Sequence, residues 1–244
     1  PRGLQLAVLA ASDAVKSMGI DWKIVADSVS PDAIAVYSSS VMSQLDSTGF
    51  GGMMQARQLA SRVTSKQLAM GLNTMPADFI NAYVLGSVGA TGGVTGACAT
   101  FLYNLRQGVE DIRSGRRKVV LVGASEAPII PEVMDGYAAM SALATDADLL
   151  KLDGLNASDM ANHRRASRPF GQNCGFTLAE SSQFVVLMAD DLAMELGAQV
   201  FGAVPGVYIN ADGHKKSISA PGAGNYITMA KAVSLARTLM GEEA

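Results

Sequence analysis

The sequence predicts an α/β fold, and three observations carry that prediction. Between Gly89 and Ala124 a short small-residue strand candidate, Thr91 to Ala97, leads into a helix-spaced run from Cys98 and then a second strand, Lys118-Val119-Val120-Leu121-Val122-Gly123. That second strand is apolar at successive positions without alternation, the pattern of a sheet covered on both faces. Apolar residues make up 49% of the chain and charged residues 17%, with 25 glycines, which suits a densely packed core and excludes a disordered chain. No internal repeat or low-complexity linker divides the sequence, so residues 1–244 read as a single domain fragment.

The elements follow in order. Leu4, Ala7, Val8, Ala11, Ala14, Val15 and Met18 recur at helical spacing, and Gly19 closes the run. Ala33 to Tyr37 is β-like, and a loop rich in Ser, Gly and Met follows as far as Met54. A helix is expected over about 56–70, and another after Thr74, where Pro76 suits a first turn and Asp78 suits its dipole. From Cys98 the positions Phe101, Leu102, Leu105, Val109 and Ile112 keep helical spacing up to Gly115. Gln183 to Ala189 reads as a buried strand and Asp190 to Leu196 as a helix stopped by Gly197. Val200 to Asn210 reads as a further strand, Ser219 to Gly224 as a loop, and about 226–240 as the last helix.

Charge and composition exclude several function classes. A net charge of −3 and a pI near 5.4 give no reason to expect a nucleic-acid partner. The clusters Arg116-Arg117-Lys118 and Arg164-Arg165 are short and read as solvated turns. No apolar run approaches the roughly 20 residues of a membrane helix, so no membrane association is expected. Two cysteines make no disulfide framework, which points to a reducing cytoplasm where a free thiol can do chemistry. The chain opens on Pro1 rather than methionine, so its parent is expected to start earlier.

Cys98 falls where strand becomes helix, between Gly96-Ala97 and Ala99-Thr100. A helix N-terminus presents unpaired N–H groups and a partial positive charge, which favour a thiolate, the nucleophilic form of cysteine. The same donors can hold an oxyanion when the sulfur attacks an acyl carbonyl. Position alone leaves a second reading open, a small buried hydrophobe, as most free cysteines are.

The surrounding residues resemble a known family. Gly96-Ala97-Cys98-Ala99-Thr100 is similar to the nucleophile motif of β-ketoacyl synthases, in which Ala-Cys enters a buried helix followed by small residues. Gly123-Ala124-Ser125-Glu126-Ala127, Pro131, Tyr137 and Ser141 to Thr145 resemble the family stretch after the next strand. Arg168-Pro169-Phe170 with Gly175-Phe176, and Asp212-Gly213 with Ala220-Pro221, follow in the family's order.

The resemblance implies a thiolase-like αβαβα layered fold, of which this chain supplies the first half and the start of the second. It implies transfer of an acyl group from acyl-CoA or acyl carrier protein onto Cys98, then condensation with malonyl-acyl carrier protein and loss of CO2. It implies a homodimer and no cofactor or metal. By the same resemblance Tyr137, flanked by Met134 and Met140, stands near the acyl cavity, and His214 lies in a loop that approaches the pocket mouth.

Departures from the pattern set limits. The family's H-G-T-x-T and K-x-x-x-G-H motifs are expected beyond Ala244, and its opening βα segment before Pro1, so 1–244 alone is expected to be inactive in condensation. His163, in a polar loop, reads as solvated. Gly171 to Gly175 and Ala179 to Ser182 replace the family's usual residues, which points to a divergent bacterial branch, and Cys174 reads as part of a structural turn. A thiolase-type acyl-CoA acyltransferase and a non-catalytic partner subunit of the same fold are the alternatives. A cysteine hydrolase is disfavoured by Thr100, where a nucleophile elbow carries glycine.

Overall fold

The structure is a computed structural model that describes residues 1–217 and 220–241; Ser219, where the last loop was expected to begin, lies outside the described residues. These residues gather into two compact units, one of residues 1–126 with 182–244 and one of residues 127–181.

The first unit is built on a sheet. Helix α1, Arg2–Ser17, buries Leu4, Ala7, Ala11 and Val15, the stripe its spacing predicts. The short α2, Trp22–Ser28, starts on Asp21, whose carboxylate accepts from the Lys23 N–H. Strand β1, Ile34–Ser39, is buried at every position. Of the helix expected over 56–70 only the end forms, as α4 (Ser65–Gly71), and a short α3 (Phe50–Gln55) precedes it where the sequence read mainly as loop. Ala60 between them takes a positive φ of 48°, and Thr64 with Gln67 forms a capping box that starts α4 afresh. Helix α5, Met75–Ile80, opens with Pro76 as expected and passes into a wider π-type turn over Asn81–Leu85. The Trp22 Nε1–H donates to the Leu85 carbonyl at 2.9 Å.

Strand β2 is only Thr91–Gly92, shorter than the expected 91–97, because the backbone from Gly93 onward bonds to side chains rather than to a strand. Helix α6, Thr100–Arg113, then leads to β3, Val119–Glu126. The sheet order is β2-β1-β3-β4, where β4 is Ser181–Met188. Strands β1, β2 and β3 are parallel, with Ile34 opposite Val119, Ser39 opposite Ala124, and Val36 opposite Thr91. β4 runs against β3: the Ala189 N–H reaches the Lys118 carbonyl at one end, while Gly123 faces Gln183 and Phe184 at the other.

Both faces of the sheet are covered, as the unbroken apolar strand predicted. Ile34, Val36, Val119 and Leu121 join α1, α5 and Leu192 in one core cluster. Ala35, Tyr37, Val120 and Val122 face the other way, against Leu105 and Ile112 of α6 and Leu187 of β4.

The basic cluster after α6 is tied down rather than free. Arg116 pairs with Asp111, which also accepts from the Tyr37 hydroxyl; Arg117 donates to the Asp32 carbonyl, and Lys118 pairs with Asp191.

The second unit comprises two helices and turns that bury Val133, Leu149, Leu150 and Ala166. Helix α7 is Pro131–Ala139, and α8, Asp146–Leu152, is capped by Thr145. Arg168 donates to the half-sunken Asp153 at 2.7 Å. Phe176 pairs with Ala142 and Ala144 through its backbone, with Gly175 between them because a Cβ there would stand 2.5 Å from the Ala144 nitrogen.

In the first unit α9, Asp190–Leu196, ends on Gly197 at φ 67°, as its sequence predicts. Among the described residues Val200 to Asn210 pairs with no strand, and Pro205 within it lacks a backbone donor. The last helix, α10, is Ala223–Leu239.

Candidate active site

The loops that follow parallel strands gather at the strands' C-terminal ends, and the candidate nucleophile lies in one of them. β2 ends at Gly92, and five residues later Ala97 takes φ 49°, a left-handed conformation that residues with a Cβ rarely adopt. Cys98 follows it and is exposed. Helix α6 starts at Thr100, two residues after the expected start, so Cys98 sits just before the helix rather than in its first turn.

Tight backbone bonds shape this turn. The Ala99 and Thr100 N–H groups donate to the Gly96 and Ala97 carbonyls, and those of Leu102 and Tyr103 converge on Ala99.

Beneath the turn lie two buried polar side chains that apolar periodicity does not reveal. The Gly96 N–H donates to Thr100 Oγ1 at 3.0 Å, and that hydroxyl donates to the Ala97 carbonyl at 2.7 Å. The Val94 N–H donates to Asn104 Oδ1 at 2.9 Å, while Asn104 Nδ2 reaches Ser39 Oγ and the Gly123 carbonyl at 3.3 and 3.4 Å. Ser39 Oγ–H in turn donates to the Val94 carbonyl. Their signal in the sequence is spacing: Thr100, Asn104, Gly108 and Asp111 fall on one face of α6, and all four are buried.

A second carboxylate closes the ends of β1 and β3. Glu126 accepts from the Val41 N–H and the Ser40 hydroxyl, and burial pushes its carboxyl above the usual value despite these donors. Asn73 completes the loop after β1 by donating to the Ser40 and Val41 carbonyls.

A cavity of about 590 Å³ opens beside the nucleophile turn, bounded there by Gly96, Ala99, Leu102 and Tyr103. Its far wall includes Tyr208, Asp212 and Lys215, and the last two form an ion pair at 2.7 Å. His214 is exposed and does not line this cavity; its neighbour Lys215 does. A larger cavity of about 720 Å³ runs along β4 and 198–204 and includes none of the candidate residues.

In the second unit Tyr137 is half-buried and meets Phe176 edge-on, with ring centres 6.1 Å apart. Met134 and Met140 of the same stretch are exposed. His163 is exposed, as expected, with Nε2 2.9 Å from Asp146. The half-buried Cys174 follows Asn173, whose amide bonds to Arg168 and Gly171 and so builds the expected structural turn. Among the described residues no group of three His, Cys, Asp or Glu side chains is placed to hold a metal ion.

Comparison with known proteins gives consistent matches. The family model described as Beta-ketoacyl synthase, N-terminal domain, matches residues 2–193. The chain is 64% identical over 241 residues to the β-ketoacyl-acyl-carrier-protein synthase FabY of Pseudomonas aeruginosa, covering 99% of this chain and 38% of that protein. The crystal structure of the noncanonical ketosynthase FabY from P. aeruginosa matches with a TM-score of 0.93 and 63% identity, over 99% of this chain and 37% of that one. A β-ketoacyl synthase from Burkholderia phymatum matches with a TM-score of 0.75 over 98% of this chain and 53% of its own, and at 22% identity it shows the fold alone. The α/β class expected from the sequence is thus the ketosynthase class, and the chain spans less than two fifths of the length of FabY.

Proposed function

We propose, for a chain that belongs to the β-ketoacyl synthase family, that it carries the acyl-accepting half of a fatty-acid condensing enzyme, with Cys98 as the nucleophile. The observation that carries this reading is the exposed Cys98 on a strained turn past the C-terminal end of β2, with Gly96 and Ala99 on either side of it lining a cavity.

In the first step the Cys98 thiolate attacks the thioester carbonyl of acyl-CoA or acyl-acyl carrier protein. The developing oxyanion takes hydrogen bonds from the backbone, the carrier thiolate leaves, and the acyl group remains as a Cys98 thioester. In the second step the C–C bond of malonyl-acyl carrier protein breaks and CO2 leaves. The resulting enolate attacks the Cys98 thioester, and the C–S bond breaks to give a β-ketoacyl product and free Cys98.

The partners of this reaction are acyl carrier protein and its acyl and malonyl thioesters. Residues 1–244 are read as one piece of a larger synthase domain, whose second step draws on groups outside them. Tyr137, Met134, Met140 and His214 are proposed as substrate contacts. The compartment is the cytoplasm, in keeping with two free cysteines; no helix among the described residues is long and apolar enough to cross a membrane. A homodimer that pairs along β2 is proposed, supported by the place of that two-residue strand at the end of the sheet order and by its small side-chain bulk.

The test is acylation of the intact synthase with radiolabelled acyl-CoA or acyl carrier protein. Label recovered on the Cys98 peptide and lost in Cys98→Ala supports the reading, whereas label on Cys174 overturns it. In the same assay, alanine at a substrate contact raises KM for the acyl donor and leaves Cys98 labelled.

A further inference from the structure

The segment that delivers Cys98 has no strand to hold it. β2 ends at Gly92, and the next bonds made by this backbone go to Thr100 and Asn104, one turn apart on the inward face of α6. Both side chains are almost fully buried. Neither reaches the cavity; they hold the N–H groups of Val94 and Gly96 and the carbonyl of Ala97. Asn104 also bonds to Ser39 at the end of β1 and to Gly123 in β3, so the turn takes its position from the sheet. Ala97, whose φ is positive, is the residue whose carbonyl Thr100 holds directly.

We propose that Thr100 and Asn104 are positioning residues for Cys98: they hold Ala97 in its left-handed conformation and so fix the peptide that carries the sulfur at the start of α6. This rests on the reading of Cys98 as the acyl acceptor. Without the pair, Ala97 relaxes to negative φ, and the peptide that carries Cys98 loses its place at the start of α6. The loss falls on the rate of attack rather than on substrate affinity, because neither side chain lines the cavity.

The experiment uses the intact synthase. Thr100→Val keeps the branched shape and removes the hydroxyl, whereas Thr100→Ser keeps the hydroxyl. Three quantities are followed: alkylation of Cys98 by iodoacetamide with Cys174 as internal reference, acylation from acyl-CoA, and the melting temperature. T100V is expected to slow both Cys98 reactions by about ten- to a hundredfold, the scale of a misplaced reacting group, with KM for the acyl donor unchanged. T100S keeps the wild-type rates. Adding Ala97→Gly to T100V restores most of the lost rate, because glycine adopts the left-handed conformation without help.

Wild-type rates in T100V overturn the proposal. So does a slow T100V that A97G fails to rescue, because the hydroxyl then serves packing alone. If T100V does not fold, Ser39→Ala takes its place; it removes the bond to Val94 and one acceptor of Asn104, and the same A97G rescue decides. A wild-type enzyme that alkylates normally but takes up no acyl group counts against the proposed function, and the alkylation comparison still decides the role of the pair.

Discussion

Gly123 gives a quantitative test of how tightly the sheet is built behind the nucleophile turn. A Cβ at this position would stand 2.2 Å from Cδ1 of Phe184 and 2.4 Å from the backbone oxygen of Gln183. The ring can rotate, but the carbonyl belongs to β4, so Gly123→Ala must push β4 off β3 by about 0.6 Å to reach even 3.0 Å. Overpacking of this kind costs about 1–3 kcal/mol, and weakening one ladder hydrogen bond adds about 1 kcal/mol. A destabilisation of about 3 kcal/mol corresponds to a fall in Tm of roughly 6–12 °C for a chain of this size. Gly136 is the control: it lies in α7 with nothing within 4 Å of a built Cβ, so Gly136→Ala should gain about 1 kcal/mol of helix propensity. Differential scanning calorimetry of the purified variants measures both. G123A should also slow Cys98 alkylation, since the Gly123 carbonyl accepts from Asn104. A G123A protein that melts with the wild type would refute the close β3–β4 approach.

Burial raises the Glu126 carboxyl above its usual 4.5, so between 4.5 and the raised value the folded state holds a proton that the unfolded state has lost. Stability contributed by this group is therefore present below that window and falls as pH rises through it. Glu126→Gln should flatten this slope in urea titrations run from pH 7 towards pH 4.5, and parallel slopes for wild type and variant would contradict the burial argument. The dimer proposed along β2 should give twice the monomer mass by light scattering at micromolar concentration, and a charged residue at Thr91 should shift it towards monomer. A stable monomer of the intact protein removes that proposal.

Several elements were legible because local chemistry and tertiary need agree. α9 carries a C-terminal glycine and two first-turn aspartates, and its observed limits are those read from the sequence. The unbroken apolar run of β3 reported burial on two faces, and the two core clusters divide its residues alternately between them. Illegible elements were those in which a single backbone event overrides periodicity. The positive φ of Ala60 falls inside the helix expected over 56–70, which forms only from Ser65, and nothing in an alanine announces it. Val200 to Asn210 has strand composition, but a strand is a paired object and this stretch has no partner ladder.

At the site, the place of Cys98 just before α6 was legible and the side chains beneath it were not, for one reason. Apolar spacing in α6 selects Phe101, Leu102, Leu105, Val109 and Ile112 as the inward stripe, yet only Val109 of these is fully buried, and Leu102 is 42% exposed at the cavity wall. The helix is rolled so that Thr100, Asn104, Gly108 and Asp111 face the sheet. Each has work there that an apolar side chain could not do: two hold the turn, Asp111 receives Tyr37 and Arg116, and Gly108 lets the helix approach Val122 and Leu187. A helix placed by burial alone would turn its leucines inward and take Asn104 and Thr100 away from the part-buried Val94 and Gly96 N–H groups, a loss of about 0.5–1.5 kcal/mol for each hydrogen bond. That cost, set against partial exposure of one leucine, favours the observed roll. The same choice puts Leu102 and Tyr103 at the cavity beside the Gly96–Ala99 turn, so the support of that turn and the lining of the cavity are two sides of one helix orientation.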